Sequence, residues 1–430
     1  MTRRHFFAAA SAPLWPRAAA QTRDYDESKV RPYTLPDPLL LADGERVASR
    51  AVWEKRRRPE LLRLFENNVY GSAPAPPRRM RFEIRSTADA LGGKAVRRLV
   101  TGYFAPASAS APTLELLLYL PPRRARAVPL FLGVNFRGNQ TVSADPGIPI
   151  TTRWVYAGGR ASTDHRAGER SRGSQANQWP IEQILARGYG VATFYSGDLS
   201  PDYDGGFAEG VEPLYYRQGQ TRRDAGEWGA LGAWAWGLSR ALDYLVADPD
   251  VDRRRVAVIG HSRMGKTALW AGARDPRFAM VISNCSGAGG ATLARRRFGE
   301  SVKDLNKNFP WWFCENYARF ADNEDALPVD QHELLALSAP RPLYVAVAQD
   351  DLGSDPRGQF LSALAASPVY RLLGTDGLAA AAMPPVHQPV MSTIGFHMRA
   401  GRHDITPYDW DRYMDFADRY MPASAGIRPA

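Results

Sequence analysis

The sequence predicts an α/β fold in which a mostly parallel central sheet lies between layers of helices. From Ala192 onward, short apolar strands alternate with helical patterns, an order typical of parallel sheets that are covered on both faces. Apolar residues make up 44% and charged residues 23% of the 430 residues, which are ordinary globular values. Large α/β folds of this length often form one unit, so we expect a single domain over residues 21–430.

In the first half of the chain, apolar periodicity predicts one helix and four β-type segments. These are a helix at 50–70 and β-type segments at 80–85, 95–104, 113–120 and 128–135. The early strands resemble an antiparallel group. The polar, glycine-rich stretch 138–177 has no periodicity, so we expect a long surface excursion of the kind that shapes a binding cleft.

In the second half of the chain, strand and helix patterns alternate regularly. The predicted elements are a short helix at 180–187, a strand at 188–195, a long helix at 224–247, a strand at 255–260, a helix at 264–273, strands at 278–284 and 342–348, a helix from 357, a strand at 395–399 and a closing helix at 408–420.

The first 20 residues are typical of an export signal rather than of a folded element. Residues 2–7 place twin arginines before two phenylalanines, and residues 17–20 offer a small-residue cleavage site after an alanine-rich stretch. This pattern resembles a bacterial twin-arginine signal, and its apolar part is too short to span a bilayer. We expect a mature chain that begins near Gln21 and works in the periplasm or outside the cell.

The net charge of +10 comes mostly from arginine, without a long basic block. We therefore expect a dispersed surface charge, which is compatible with an acidic polysaccharide, and no nucleic-acid or membrane partner. Two cysteines, Cys285 and Cys314, cannot form a disulfide framework or a zinc cluster by themselves. They are either free or paired with each other. No metal or cofactor is expected, and we expect a monomer.

The stretch from Val256 to Lys266 predicts a nucleophile. A buried apolar strand ends at Gly260, Ser262 follows two places later, and a helix begins at once. This is the nucleophile elbow of the α/β-hydrolase fold, in which a strained turn lifts the serine hydroxyl above the sheet edge. Its second glycine comes one place late, at Gly265. The alternative is a serine that caps an ordinary helix.

A serine nucleophile needs a base, and the α/β-hydrolase order places the histidine downstream of the serine and the acid. His403 lies in a polar, glycine-containing loop just after an apolar strand, where this fold presents its histidine. His397 lies inside that strand and is interpreted as structural. His332 begins an apolar helix, and His387 lies in a proline-rich loop. We therefore predict His403 as the general base.

The acid that orients the imidazole is expected in the loop after the strand at 342–348. Asp350, Asp351 and Asp355 all lie in that loop, and each is also placed to cap the following helix. Position in the sequence does not choose among them.

The stretch Gly260–Lys266 also resembles the Gly-Cys-Ser-Arg-x-Gly-Lys signature of the glucuronoyl esterases of carbohydrate esterase family 15. Further landmarks of that family have counterparts in the same order along much of the chain. They are 135–139, 172–174, 179–180, 188–190, 195–198, 286–290, 308–311, 355–358 and 401–403. The resemblance implies an α/β-hydrolase fold and a serine esterase that needs no cofactor.

The resemblance implies a role for each matching residue. Ser262 is implied as nucleophile and His403 as base, and Arg263 matches the arginine that helps to stabilise the oxyanion. Lys266 and Glu300 match residues that bind the sugar, and Trp311 or Trp312 is implied as an apolar wall.

This sequence departs from the family pattern at three places. Cys285 replaces the glutamate that serves many fungal members as the acid, so the acid must come from the later loop. Asp355 matches the aspartate of bacterial members there and is our choice, with Asp350 and Asp351 in reserve. Arg357 stands where bacterial members often have an aromatic residue of the cleft, so we include it among the substrate-binding residues. His261 replaces a cysteine and removes one possible disulfide partner.

The implied reaction is hydrolysis of esters between glucuronic acid, with or without 4-O-methylation, on xylan and lignin alcohols. Two other functions fit the sequence. One is a different carbohydrate serine esterase, such as an acetyl xylan esterase. The other is an inactive homologue that binds acidic polysaccharide.

Overall fold

The computed structural model describes residues 23–77, 80–104, 111–122, 126–156 and 162–423. The predicted export signal lies outside these residues, so its assignment stays a prediction, as does the single domain over residues 21–430. Within the described ranges, no helix has the length and apolar character that crossing a bilayer requires.

The described part of the chain contains twelve strands. They are β1 (Arg81–Ala90), β2 (Ala95–Tyr103), β3 (Thr113–Leu120), β4 (Val128–Asn135), β5 (Ser162–Thr163), β6 (Arg166–Ala167), β7 (Gly190–Tyr195), β8 (Val251–His261), β9 (Met280–Asn284), β10 (Leu343–Ala348), β11 (Val390–Met391) and β12 (Ile394–Arg399).

Ten of these strands form one sheet in the order β1-β2-β3-β7-β4-β8-β9-β10-β12-β11, and β5 and β6 form a small hairpin. Strands β7, β4, β8, β9, β10 and β12 pair in parallel. Strands β1, β2 and β3 join β7 in antiparallel pairs, and β11 pairs antiparallel with β12. The prediction of a mostly parallel central sheet is confirmed.

Helices cover both faces of this sheet. They are a continuous segment made of α1 (Arg50–Val52), a π-helical turn (Trp53–Arg57), α2 (Arg58–Phe65) and a second π-helical turn (Glu66–Tyr70), and then α3 (Ile181–Ala186), α4 (Ala230–Leu245), α5 (Arg263–Arg274), α6 (Val302–Asn308), α7 (Gln331–Ala336), α8 (Pro356–Leu372) and α9 (Pro407–Tyr420).

Strand β8 shows how the sheet divides the apolar core. Successive side chains point to opposite faces, so Val256 and Val258 pack in one core with residues of α4, α5 and α8. Ala257 and Ile259 pack in the other core, with residues of α3 and α9. A central parallel strand that is buried on both faces has to be apolar throughout, which explains the continuous hydrophobic run before Ser262.

Several predicted elements differ from the structure: β1 and β8 are longer than predicted, and two further differences are larger. The long helix begins at Ala230 rather than at residue 224, after a loop that ends at Gly229. The excursion 138–177 is not wholly a surface segment, because its first part is buried against the sheet. Asp145 accepts hydrogen bonds there from the side chains of Arg97 in β2 and Tyr119 in β3. Internal polar pairing lets a segment without periodicity pack inside the molecule.

The carboxyl ends of β8, β9, β10 and β12 meet at one edge of the sheet. In this register His261 lies opposite Asn284, and Ala348 lies opposite Arg399. The residues that follow these strands are therefore neighbours in space, although more than 100 positions separate the first from the last. Ligands of open α/β sheets bind at such an edge.

Candidate active site

Ser262 occupies a strained turn between β8 and α5. Its backbone angles are φ +57° and ψ −128°, in a region that residues other than glycine rarely adopt. Gly260 permits the turn, since a Cβ there would lie 1.9 Å from the carbonyl oxygen of Met264. The first turn of α5 follows, where an α-helix has backbone N–H groups without intrahelical partners. Ser262 therefore directly precedes a helix N-terminus, whose polarity favours developing negative charge.

His403 lies beside this turn and is held by Asp351. Its Nδ1 lies 2.7 Å from Asp351 Oδ2, the distance of a hydrogen bond that the imidazole N–H donates. Its ring centroid lies 4.6 Å from that of His261, the residue directly before the nucleophile. An imidazole that keeps its proton on Nδ1 has an unprotonated Nε2, as a general base requires.

The structure does not bring Asp355, the first choice for the acid, to His403, because its carboxylate has other partners. Asp355 is fully buried, accepts a hydrogen bond from Arg296 Nε at 2.8 Å and caps α8 through the Gly358 N–H, also at 2.8 Å. A single 3₁₀ turn, Leu352–Ser354, separates it from Asp351 and directs the two carboxylates to different partners. The reserve candidate Asp351 is the one that contacts His403, whereas Asp350 is exposed.

Cys285 follows β9 and stands next to this pair. One ligand atom from each of Cys285, Asp351 and His403 lies within 4.8 Å of the others, a spacing that a metal ion also accepts. Burial, followed by the charge of Asp351, raises the pKa of the Cys285 thiol well above its ordinary value, so the side chain is uncharged. Both Cys285 and Cys314 are buried and free. The negative charge behind the imidazole therefore comes from Asp351.

Arg263 is held over the site by a residue that the sequence did not indicate. Asp202 accepts a hydrogen bond from Arg263 Nη1 on one oxygen and, on the other, from the indole N–H groups of Trp311 at 2.9 Å and Trp312 at 2.7 Å. The guanidinium carbon lies 4.5 Å from the centroid of the Trp312 ring. Such a contact between a cation and a ring face is attractive. The buried Trp312 therefore supports Arg263 from behind, while Trp311 is partly exposed.

Lys266 and Glu300 form a second polar group close to Arg263. Lys266 Nζ donates to the carbonyl oxygen of Ser286 at 2.6 Å and lies 3.8 Å from Glu300 Oε2. Burial lowers the pKa of Lys266 to about 8, although the charge of Glu300 opposes this effect. The structure thus brings Lys266 and Glu300 together.

Arg357 is not brought into this group. Its side chain is 59% exposed and pairs with Glu27 at 3.3 Å. Among the described residues, no contact joins Arg357 to Ser262 or His403. Arg357, the second residue of α8, therefore reaches toward Glu27 and not toward the nucleophile.

Arg399 fixes the loop that carries His403. It donates hydrogen bonds to the carbonyl oxygens of Ala400, Arg402 and Asp404 at 2.9, 2.8 and 2.6 Å. Its Nε also donates to Asp409 at 2.9 Å. Residues on both sides of His403 are therefore tied to one buried guanidinium. Sequence reasoning missed this role, since an arginine at the end of a strand carries no distinguishing signal.

Two buried histidines near this loop have hydrogen-bond partners of their own. His397 is fully buried and bridges the Tyr344 hydroxyl and Asp409, which agrees with its interpretation as structural. His261 Nδ1 lies 2.6 Å from Asn284 Oδ1, and burial, followed by the charge of His403, lowers the pKa of His261 to about 4. A neutral His261 places no positive charge beside the ring of His403. The sequence had indicated only the loss of a disulfide partner at this position.

Comparison with known proteins gives a consistent picture. A family model described as "Glucuronyl esterase, fungi" matches residues 184–374. The chain is 48% identical to Carbohydrate esterase MZ0003 from an unknown prokaryotic organism, over 96% of this chain and 97% of the relative. It is 28% identical to 4-O-methyl-glucuronoyl methylesterase 1 of Phanerochaete chrysosporium, over 79% of this chain and 62% of the relative. A solved glucuronoyl esterase from Solibacter usitatus is similar at 48% identity and a TM-score of 0.88, covering 92% of this chain and 100% of that structure.

Proposed function

Since this chain belongs to the glucuronoyl esterases of carbohydrate esterase family 15 and is a carboxylic ester hydrolase, we propose that Ser262, His403 and Asp351 form its catalytic triad. The substrates we propose are esters of glucuronic acid or 4-O-methyl-glucuronic acid on xylan with lignin alcohols. The observation that carries the proposal is the Asp351–His403 pair, whose imidazole packs against His261, the residue directly before a serine in a strained elbow.

In the first half of the reaction, His403 Nε2 takes the proton from the Ser262 hydroxyl as its oxygen attacks the ester carbonyl carbon. Negative charge develops on the carbonyl oxygen. The guanidinium of Arg263 and the backbone N–H groups at the start of α5 stabilise this charge. The C–O bond to the alcohol then breaks, and His403 returns its proton to the leaving oxygen.

In the second half, water replaces the alcohol. His403 takes a proton from water, the hydroxide attacks the acyl-enzyme, and the bond to Ser262 breaks as the serine oxygen regains a proton. The uronic acid is released. Asp351 stabilises the imidazolium that forms twice in this cycle, and the neutral His261 adds no opposing charge next to it.

The substrate assignment is supported by the polar group beside the elbow. The Glu300 carboxylate accepts hydrogen bonds from sugar hydroxyls, and the Lys266 ammonium donates to them. These charged side chains lie 3.8 Å apart near Arg263, so a polar sugar is favoured over a plain alkyl acyl group. A relative of this chain is named for the 4-O-methyl-glucuronoyl group.

We also propose that residues 1–20 export the enzyme to the periplasm or outside the cell, where it works as a single-domain monomer. Xylan and lignin are polymers outside the cell, so an esterase that acts on them has to be exported.

A substrate panel tests the proposed function. The purified enzyme is expected to hydrolyse benzyl glucuronate with a kcat/KM at least about a hundredfold above its kcat/KM for acetate release from acetylated xylan, with xylan concentration counted in ester groups. Faster release of acetate with no turnover of benzyl glucuronate would instead identify an acetyl xylan esterase. Failure of a fluorophosphonate probe to label Ser262 would indicate an inactive polysaccharide-binding homologue.

The charge of Lys266 predicts a pH dependence of substrate binding. Its pKa is lowered to about 8, so the ammonium is present below this pH and is lost as the pH rises through it. The charged groups that act on it are Glu300, Arg263, Asp351 and Arg23. Because a neutral amine is a weaker donor to sugar hydroxyls, we expect KM for benzyl glucuronate to rise about threefold to tenfold between pH 7 and 9.

Steady-state kinetics across this range, corrected for spontaneous ester hydrolysis, measure the effect. A Lys266→Met variant serves as the control, with a raised KM that no longer changes between these pH values. A wild-type KM that stays constant over the range would contradict the role of the Lys266 charge.

A further inference from the structure

The N-terminal segment, defined here as residues 23–30, lies against the residues that lead to Glu300. The backbone N–H of Gly299 donates to the carbonyl oxygen of Asp24 at 2.9 Å. The Tyr25 ring packs edge-on against Phe298, with centroids 6.2 Å apart. At the first residue of this segment, Arg23 Nη2 lies 3.3 Å from Glu300 Oε1. The segment therefore carries an arginine to a residue of the substrate-binding group.

A chain of ion pairs anchors this segment to the core. Both oxygens of Glu27 accept hydrogen bonds from Arg296 Nη2, at 3.0 and 2.9 Å. Arg296 is 4% exposed and also donates to the fully buried Asp355. Arg357 pairs with the same Glu27 from the solvent side. The Arg296–Asp355 pair is buried, whereas the Glu27 side chain is 40% exposed, so its two hydrogen bonds from the buried Arg296 are what hold Glu27 in one geometry. Asp355 and Arg357, which do not act in the triad, thus hold the N-terminal segment in place.

Arg23 is partly exposed and lies next to the polar group formed by Lys266 and Glu300. Glu300 uses one oxygen for Arg23 and has the other 3.8 Å from Lys266 Nζ, so it is fixed between two cations. The side chain of Arg23 is 34% exposed and that of Glu300 is 17% exposed. A guanidinium has five N–H donors. A Cβ added to Gly353, in the loop that also holds Asp351, would lie 3.5 Å from Arg23 Nη1.

We infer that Arg23 is a specificity-determining residue that binds hydroxyl groups of the uronosyl part of the substrate and orients Glu300 toward them. This inference rests on the proposed function. The guanidinium donates hydrogen bonds to sugar oxygens, and the neighbouring Glu300 carboxylate accepts hydrogen bonds from sugar hydroxyls. Adjacent hydroxyl groups of one sugar therefore find both a donor and an acceptor. Arg23 is absent from the local motif around Ser262, and its role depends on the N-terminal segment reaching the site.

For this role of Arg23, removal of the export signal has to leave Arg23 in the mature enzyme. The predicted cleavage near Gln21 leaves Arg23 in the mature enzyme, whereas a cut only a few residues later removes it. Mature enzyme that keeps Arg23 is expected to show the higher affinity for glucuronate esters.

Kinetics of full-length variants on two substrates test the inference. Benzyl glucuronate carries the sugar, and p-nitrophenyl acetate lacks it. Arg23→Ala is expected to raise KM for benzyl glucuronate about tenfold, with kcat within about twofold of wild type and unchanged turnover of p-nitrophenyl acetate. The KM of Arg23→Lys for benzyl glucuronate is expected to lie between the values of wild type and Arg23→Ala, since an ammonium keeps the charge but not the planar set of donors. Lys29→Ala is the matched control. Lys29 is exposed, and its Nζ lies 3.3 Å from Asp24 Oδ2 in the same segment.

A second variant loosens the anchor without touching Arg23. Glu27→Gln removes the charge that binds Arg296 and Arg357, and it is expected to raise KM for benzyl glucuronate about threefold while turnover of p-nitrophenyl acetate stays unchanged. If Arg23→Ala does not fold, Arg23→Lys and Glu27→Gln decide the question.

The outcomes separate this inference from the function on which it rests. Wild-type turnover of benzyl glucuronate with a KM that Arg23→Ala changes less than twofold overturns the inference alone. Equal losses on both substrates do so as well, since they indicate a general structural role. A wild-type enzyme that hydrolyses p-nitrophenyl acetate but not benzyl glucuronate overturns the proposed function and the inference together.

Discussion

Replacement of Ser262 by alanine is expected to lower kcat for benzyl glucuronate by about 10⁵-fold or more, because no acyl-enzyme forms without the hydroxyl. The residual rate reflects substrate binding and oxyanion stabilisation alone. The backbone strain at Ser262 belongs to the turn rather than to the hydroxyl, so the variant is expected to fold. Rapid-quench and steady-state assays measure the loss, and thermal unfolding checks the fold.

Ser86→Ala is a suitable control for this experiment. Ser86 lies in the edge strand β1, and the loss of its hydroxyl is expected to leave kcat within about twofold of wild type. A fluorophosphonate probe is expected to label wild type and Ser86→Ala but not Ser262→Ala. Full activity or labelling of Ser262→Ala would refute the proposed mechanism.

Replacement of Asp351 by asparagine is expected to lower kcat by about 10³- to 10⁴-fold, with a smaller change in KM. An amide keeps the size of the side chain but donates a hydrogen bond, so it favours the imidazole tautomer with the proton on the wrong nitrogen. It also removes the charge that stabilises protonated His403, whose Nδ1 lies 2.7 Å from Asp351 Oδ2. Pre-steady-state kinetics with benzyl glucuronate give the effect on acylation.

Two neighbouring aspartates make this test selective. Asp350→Asn alters an exposed side chain and is expected to leave kcat within about twofold of wild type. Asp355→Asn breaks a buried pair with Arg296, so we expect the free energy of unfolding to fall by about 3 kcal/mol. Its kcat is expected to stay within about tenfold of wild type, with a raised KM as the N-terminal segment loosens. A loss of kcat in Asp355→Asn that equals the loss in Asp351→Asn would contradict Asp351 as the acid.

Much of the fold could be predicted from the sequence because its signals are local. A parallel strand that is buried on both faces has to be a continuous apolar run, which is why the apolar runs at 128–135 and 342–348 predict strands that the structure contains. The turn at Ser262 has an equally local signature, since only glycine fits at position 260 before the strained serine. Position after the last apolar strand of the sheet then indicated His403.

The sequence by itself therefore determined the sheet, the elbow and the histidine, because periodicity and turn chemistry act between residues that are close along the chain. The tertiary structure alone decided which aspartate contacts His403, since one 3₁₀ turn directs Asp351 and Asp355 to different partners. It alone brought Asp202 to Arg263, 61 positions away, and Arg23 to Glu300, 277 positions away. Contacts over such separations depend on how the whole chain packs, and no local pattern encodes them.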